Sequence, residues 1–140
     1  MDQRIRIKLL DLDKDDISQF QITLSDNTTL TNFHFYEYAD GFKEFANGLI
    51  SFPKNINDLV IYEVGKNAKG WAYHMFLKVY CYSPNGYSAI HVKIDNHKEL
   101  PYSNKVEFAI TAVPASINKL GNLLRDWNPE VENELIWIAE

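Results

Sequence analysis

Apolar and polar residues alternate through the middle of the chain, and this alternation predicts three consecutive β-strands. Between Trp71 and Tyr82 the odd positions are apolar, whereas the even positions include a histidine and a lysine. In the next segment, which runs to Asp95, the apolar residues stand at even positions. A third segment, 105–112, has its apolar residues at even positions too. Because successive side chains of a strand point to opposite faces, each segment has one face suited to a core.

The turn between the first two of these strands sets their register. A four-residue loop, Ser83-Pro-Asn-Gly86, closed by Tyr82 opposite Tyr87, brings odd apolar positions against even ones. Pro84 excludes a two-residue type I′ turn, because proline cannot adopt positive φ. A slip by one residue would bury charged side chains, so this register is strongly preferred. The predicted inner pairs are Val79 with Ile90, Leu77 with Val92, and Met75 with Ile94.

The third strand is predicted to pair Ile94 with Val106, which aligns the apolar faces again. The same register places Lys93 opposite Glu107 and Asp95 opposite Lys105. Each complementary cross-strand pair is worth ~0.2–1 kcal/mol, so the charges support the assignment.

The flanking segments predict an α+β domain. Alternation indicates strands near residues 4–9, 19–24, 28–38 and 59–64, with apolar residues on both faces of the 28–38 strand. Helical spacing of apolar residues predicts helices over about 40–52, with Asp40 as N-cap, and from Pro114 to about Trp127. Another cap is expected at Asn128-Pro129. Residues 134–140 fit either a helix or a strand. The predicted order of elements is βββ-α-ββββ-α. It predicts a largely antiparallel sheet with two helices packed on one face. The first three strands either extend this sheet or form a second layer.

Length and composition indicate the number of domains and the cellular location, but they do not indicate an activity. With 140 residues the chain is expected to be one domain, residues 1–140. Its net charge of -5, without a basic block, argues against a nucleic-acid partner. No apolar run is long enough for a membrane span, and the one cysteine, Cys81, favours a reducing, cytoplasmic location.

The sequence contains only weak matches to catalytic and metal-binding motifs. We therefore predict no catalytic residue, no metal site and no cofactor. The cluster Asp11, Asp13, Asp15 and Asp16 resembles the start of a calcium loop but lacks the glycine and glutamate that should follow, so a solvated acidic turn is favoured. The four histidines have no zinc-site spacing, and Cys81 is predicted to face the core. Glu37, within an aromatic strand, could have a raised pKa if buried, although a surface glutamate is the simpler interpretation.

The outer face of the three central strands is the most informative surface. Aromatic side chains mixed with charge are typical of protein-recognition surfaces. The alternative is that the N-terminal strands or the chain's final segment cover this face and make it a second core layer. The predicted partner-binding residues are His74, Phe76, Lys78, Tyr80, Tyr82, Tyr87, His91 and Lys93.

Three segments carry a resemblance to small cytoplasmic bacterial immunity-type proteins encoded beside polymorphic or contact-dependent toxins. They are Phe35 to Phe45 with the helix leading to Phe52, the strand Gly86 to Ile94, and the helix start Val113 to Leu120. The resemblance lies in the order of elements and in hydrophobic patterns. It implies a non-catalytic protein that neutralises a toxin domain by binding it, and it carries over no functional residues.

We therefore expect a protein-binding module, most concretely an immunity protein, whose acidic balance suits a basic nuclease toxin. The alternative is a small-molecule-binding protein or enzyme with an aromatic pocket between sheet and helix, using Glu37 or His34. A homodimer through the outer face would use the same residues as the protein-binding module.

Overall fold

The structure, a computed structural model, describes residues 2–12 and 16–140. Its elements follow the predicted order with one strand added at the end. The α+β class is confirmed. The elements are β1 (Arg4–Leu12), β2 (Ile17–Ser25), β3 (Leu30–Tyr38), α1 (Lys43–Ile50), β4 (Leu59–Gly65), β5 (His74–Cys81), β6 (Ser88–Asp95), β7 (Lys105–Ala112), α2 (Pro114–Asp126) and β8 (Glu134–Ile138).

The strands form two antiparallel four-stranded sheets. The first sheet has the order β3-β2-β1-β8 and the second has the order β4-β5-β6-β7. The N-terminal strands thus make a second layer instead of extending the central meander. The ambiguous segment 134–140 contains a strand, β8, which pairs with the free side of β1.

The core lies between the inner faces of the two sheets and the two helices. It includes Ile7 and Phe20 of the first sheet, Leu77 and Ile90 of the second, and Leu120 of α2, all in one cluster of buried side chains. Since both sheets contribute one face to this cluster, the opposite face of each sheet is left outside it.

The predicted registers of the central meander are confirmed. Val79 pairs with Ile90, Leu77 with Val92, and Ile94 with both Met75 and Val106. The turn closes as predicted, with the Tyr82 amide donating to the Tyr87 carbonyl at 2.9 Å. Gly86 has a φ of 84°, the left-handed conformation that the loop requires.

Several local predictions were wrong. β5 begins at His74, so Trp71 lies in the preceding loop and is exposed. β3 is buried on one side only: Phe33 and Phe35 face the core, whereas its even positions are exposed. α1 begins at Lys43 with no side-chain cap, because Asp40 lies in the turn before it. The residues after Asn128 form a turn and no helix.

The two helices meet at close range. A Cβ atom added to Gly121 of α2 would lie 2.7 Å from the Ile50 nitrogen and 2.9 Å from the Ala46 carbonyl oxygen. Nearby, the Asn118 amide nitrogen donates to the carbonyls of Leu49 and Phe52, which satisfies acceptors at the end of α1. The contact therefore depends on a missing side chain at residue 121.

Gln3 joins the edges of the two sheets. Its Oε1 accepts the Thr111 amide of β7 at 2.9 Å, and its Nε2 donates to the Thr111 hydroxyl. Its own carbonyl accepts the Ala139 amide just after β8. None of the described helices is both long and apolar enough to cross a membrane.

Candidate functional site

The outer face of the second sheet is a grid of four rows, and each row takes one residue from each strand. The registers of the four strands define which side chains lie side by side. Apolar and charged side chains alternate across the grid, and the three lysines are balanced by three carboxylates. From β4 to β7 the rows are Leu59, Tyr80, Ala89 and Thr111; Ile61, Lys78, His91 and Ala109; Glu63, Phe76, Lys93 and Glu107; and Gly65, His74, Asp95 and Lys105.

Phe76 lies near the centre of this grid. Its ring stacks on His74 at 6.2 Å between centroids and meets His91 edge to face at 6.3 Å. Beside it, the Lys78 ammonium lies 5.3 Å from the centroid of the Tyr80 ring. These contacts orient the aromatic side chains before any partner arrives, which lowers the conformational entropy lost on binding.

Glu107 binds a histidine instead of the lysine opposite it. Lys93 and Glu107 are paired across the strands as predicted, but the short contact runs from His91 Nε2 to Glu107 Oε2 at 2.6 Å. This hydrogen bond holds the pKa of Glu107 below its ordinary value, and the nearby positive charge of Lys93 acts in the same direction. Lys93 itself is exposed on the grid.

His74 lies on the predicted face but is only 7% exposed, so its ring is not available to a partner. Its Nε2 is 2.6 Å from Glu63 Oε2 on the neighbouring strand β4. His74 lies opposite Asp95 in the register of β5 and β6, but the sequence analysis did not derive the pairing of β4 with β5. Glu63 was missed for the same reason.

Tyr82 and Tyr87 extend the face at the turn end. Their rings stack at 6.4 Å, and they are 54% and 50% exposed. Both lie one residue beyond Cys81 and Ser88, the last register pair of β5 and β6, and they point to the same side by alternation.

The outer face is not a second core layer. Phe76 and Tyr80 belong neither to the buried core nor to the side chains packed against it. The first sheet and the helices contribute to the core from the opposite side of the second sheet. Seven of the eight predicted residues are therefore at least partly exposed, and the structure brings all eight onto one side of the sheet.

The interior leaves little room for the aromatic pocket of the alternative prediction. The described core residues enclose a cavity of about 10 Å³ between sheets and helices, near the volume that one water needs. Glu37 Oε2 accepts a hydrogen bond of 2.6 Å from the Tyr62 hydroxyl, and His34 is exposed on the first sheet. The small-molecule site stays a prediction, and the described core residues form no enclosed pocket large enough for such a ligand.

The other candidate groups do not converge. A groove of about 680 Å³ between α2 and β8 is lined by Asp126, Glu132 and Glu134, of which Asp126 and Glu134 bind Arg125 and Arg6. Cys81 is half-buried, with Sγ 4.0 Å from the Ser88 hydroxyl.

Metal ligation receives no geometric support. Within residues 2–12 and 16–140, no three histidine, cysteine or acidic side chains are grouped to hold a metal ion. Of the acidic turn, Asp11 is exposed at the end of β1 and Asp16 follows it, while Asp13 and Asp15 lie outside the described residues.

Comparison with known proteins supports the architecture. No known family model and no curated protein matches the chain. The solved structure of the plant transcriptional regulator PBF-2 is similar to it with a TM-score of 0.50, at 8% sequence identity, over 94% of this chain and 80% of that chain. At so low an identity the similarity shows a shared fold alone, and the function must be argued from this chain's own surface.

Proposed function

We propose that this chain is a non-catalytic protein-binding module that docks its partner on the outer face of the second sheet. The most concrete form of the proposal is a bacterial, cytoplasmic immunity protein that neutralises a toxin domain encoded beside its gene. The carrying observation is the grid around Phe76, which lies outside the core and presents aromatic side chains in mutual contact among balanced charges.

The composition of the face fits a protein partner. Interfaces concentrate their binding energy in a few aromatic and long side chains at the centre, surrounded by polar groups that exclude water. Phe76 and Tyr80 lie on the inner strand β5, while Glu63 and Glu107 lie at the margins on β4 and β7. A partner that covers this grid would bury the aromatic rings and pair the marginal charges.

The test is to co-express the chain with the toxin domain encoded beside its gene and to measure cell survival and binding. We expect protection by the natural chain. The double variant Phe76→Glu/Tyr80→Glu should weaken binding by about 30-fold or more, as expected when central anchors are lost.

The matched control is Tyr36→Glu/Tyr38→Glu, which places the same charges on exposed aromatic positions of the first sheet. It should protect as well as the natural chain, and thermal melting should show that both variants fold. Absence of protection by the natural chain, or loss of protection only in the first-sheet variant, would refute the proposal. Light scattering distinguishes a homodimer from a complex with another protein. If the natural chain has twice the monomer mass and Phe76→Glu restores the monomer mass, the outer face binds a second copy of this chain.

A further inference from the structure

Five lysines gather at one end of the second sheet, where the β4–β5 and β6–β7 loops lie next to each other. Two depressions of about 410 and 250 Å³ adjoin there and share Asn67, Asp95 and Lys105 in their linings. We call this region the lysine end. Its lysines are Lys66, Lys69, Lys93, Lys98 and Lys105.

The two loops at the lysine end are held together by specific contacts. His97 Nδ1 donates to the Trp71 carbonyl oxygen at 2.6 Å, which ties one loop to the other. The Lys66 ammonium lies over the exposed Trp71 ring, 5.4 Å from its centroid. The His97 amide donates to Asp95 Oδ1 at 2.8 Å. Lys66, Lys69 and Lys98 are thus presented by two loops that these contacts hold together, while Lys93 and Lys105 lie in the adjoining strands.

Five lysines at this end outnumber three carboxylates, which are Asp95, Glu107 and Glu99 of the β6–β7 loop. The carboxylates that line the two depressions are Asp95 and Glu107. Asp95 already lies 4.0 Å from Lys105, and Glu107 is bound to His91. Within residues 2–12 and 16–140, Lys69, Lys93 and Lys98 make no ion pair. A chain with a net charge of -5 therefore has a local basic site.

We propose that the lysine end binds an acidic segment of the same protein that docks on the outer face, an inference that rests on the proposed function. The two surfaces are continuous, because Lys93 belongs to both and His74, Asp95 and Lys105 form the last row of the grid. The net charge alone favours a basic partner, but the local charge around the docking face calls for an acidic one.

The side chains favour acidic protein over nucleic acid. Every cation of the site is a lysine, a compact point charge, and none is an arginine, whose planar fork matches phosphate oxygens in pairs. A long polyanion would also meet the acidic excess of the remaining surface. A short acidic segment contacts the lysine end alone.

The first experiment titrates the full chain with a synthetic octaglutamate peptide and follows backbone amides by NMR. The shifts should concentrate in residues 66–71, 93–98 and 105, and they should fade as salt is raised from roughly 0.05 to 0.3 M. The variant Lys69→Glu/Lys98→Glu should weaken binding by about tenfold or more. Lys43→Glu/Lys54→Glu, which makes the same change of net charge at exposed lysines elsewhere, should bind like the natural chain.

Three results would overturn this inference. They are shifts scattered over the surface, equal losses in both lysine variants, and tighter binding of an eight-nucleotide oligothymidylate than of the peptide at the lysine end.

The toxin assay separates this inference from the proposed function. If Phe76→Glu/Tyr80→Glu abolishes protection but Lys69→Glu/Lys98→Glu does not, the docking face stands and the acidic segment is refuted. If the natural chain gives no protection but binds octaglutamate at the lysine end, the proposed function falls and the acidic-segment site stands.

Discussion

At the scale of single residues, the buried pair of Tyr62 and Glu37 has the clearest energetic consequence. The Tyr62 hydroxyl donates to the Glu37 carboxylate at 2.6 Å, and the ring packs against Phe42 and Phe45. Burial, with the adjacent negative charge of Glu37, raises the pKa of Tyr62 far above its ordinary range. The folded chain therefore keeps a proton that the unfolded chain releases near pH 10.

The substitution Tyr62→Phe tests this pair. Below pH 10 both states hold the proton, so the variant should lose about 1.5–3 kcal/mol, typical of a hydrogen bond to a charged group. Above pH 10 the free energy of unfolding of the natural chain should fall by about 1.4 kcal/mol more per pH unit than that of the variant. Denaturant unfolding at a series of pH values measures both quantities.

Tyr36→Phe is the control, since this tyrosine is exposed on the first sheet. It should change stability by less than about 0.5 kcal/mol and leave the pH slope intact. A Tyr62→Phe variant with the slope of the natural chain would show that Tyr62 is not the group responsible.

For single residues, the alternation of apolar and polar positions predicted which side chains face the core. It did not predict contacts between strands whose relative placement was unknown. The inward direction of Leu77 and Val79 followed from alternation alone. The contact of Glu37 with Tyr62 joins strands of different sheets, and the contact of His74 with Glu63 joins β5 to β4, a pairing that had not been derived. Such contacts depend on tertiary structure, which a pattern along the chain does not contain.

At the scale of elements, the contact between α1 and α2 depends on Gly121. In an exposed helix position, replacing glycine with alanine usually stabilises by up to about 1 kcal/mol. Here the added methyl group would meet the backbone of α1 at Ile50 and Ala46, neither of which can move aside like a flexible side chain.

We expect Gly121→Ala to destabilise the chain by about 1–3 kcal/mol, the usual cost of an overpacked core, as measured by denaturant unfolding. Asn122→Ala, at the neighbouring exposed position of the same helix, should change stability by less than about 0.5 kcal/mol. A stabilised Gly121→Ala chain would mean that the helices separate without cost.

The last strand shows why some elements could not be assigned from sequence. Residues 135–139 form a short apolar run, and such runs fit a helix or a strand equally well. The free side of β1 favours a strand here, because β8 can pair with it. This pairing buries Trp137, whose Nε1 donates to the Ser116 carbonyl. By contrast, Pro114 at the start of α2 was readable because proline suits the first helical turn.

At the scale of the whole molecule, the two sheets are joined at their edges through Gln3. Its side chain hydrogen-bonds to the amide and the hydroxyl of Thr111 on β7, while its backbone carbonyl accepts the Ala139 amide. This arrangement also closes part of the free edge of β7, a position where unpaired strands can associate.

The substitution Gln3→Ala should lower the free energy of unfolding by about 0.5–1.5 kcal/mol and speed hydrogen exchange at the Thr111 amide. The Val113 amide, which binds the Glu140 carbonyl, should remain protected. Gln21→Ala, on the outer face of the first sheet, should leave both quantities nearly unchanged. Unaltered exchange at Thr111 would show that Gln3 does not close this edge.

The division into two sheets was left open by the sequence, because strand patterns specify inward and outward faces but not which strands are neighbours. Each predicted strand exists, and the order of elements was right. The alternation of odd and even positions was enough to predict the outer face. It could not predict the lysine end, because the lysines there come from two loops and two strands.

The unequal distribution of charge over the molecule also determines how it would meet another protein. Five lysines at one end and an acidic excess elsewhere give the molecule an electric dipole, so a partner's field would turn it before contact. Added salt should then slow encounter while leaving the lifetime of the complex nearly constant, because in the proposed complex the rings around Phe76 would be buried against the partner. Recognition would thus separate into a fast, salt-sensitive approach and a slow, salt-tolerant release.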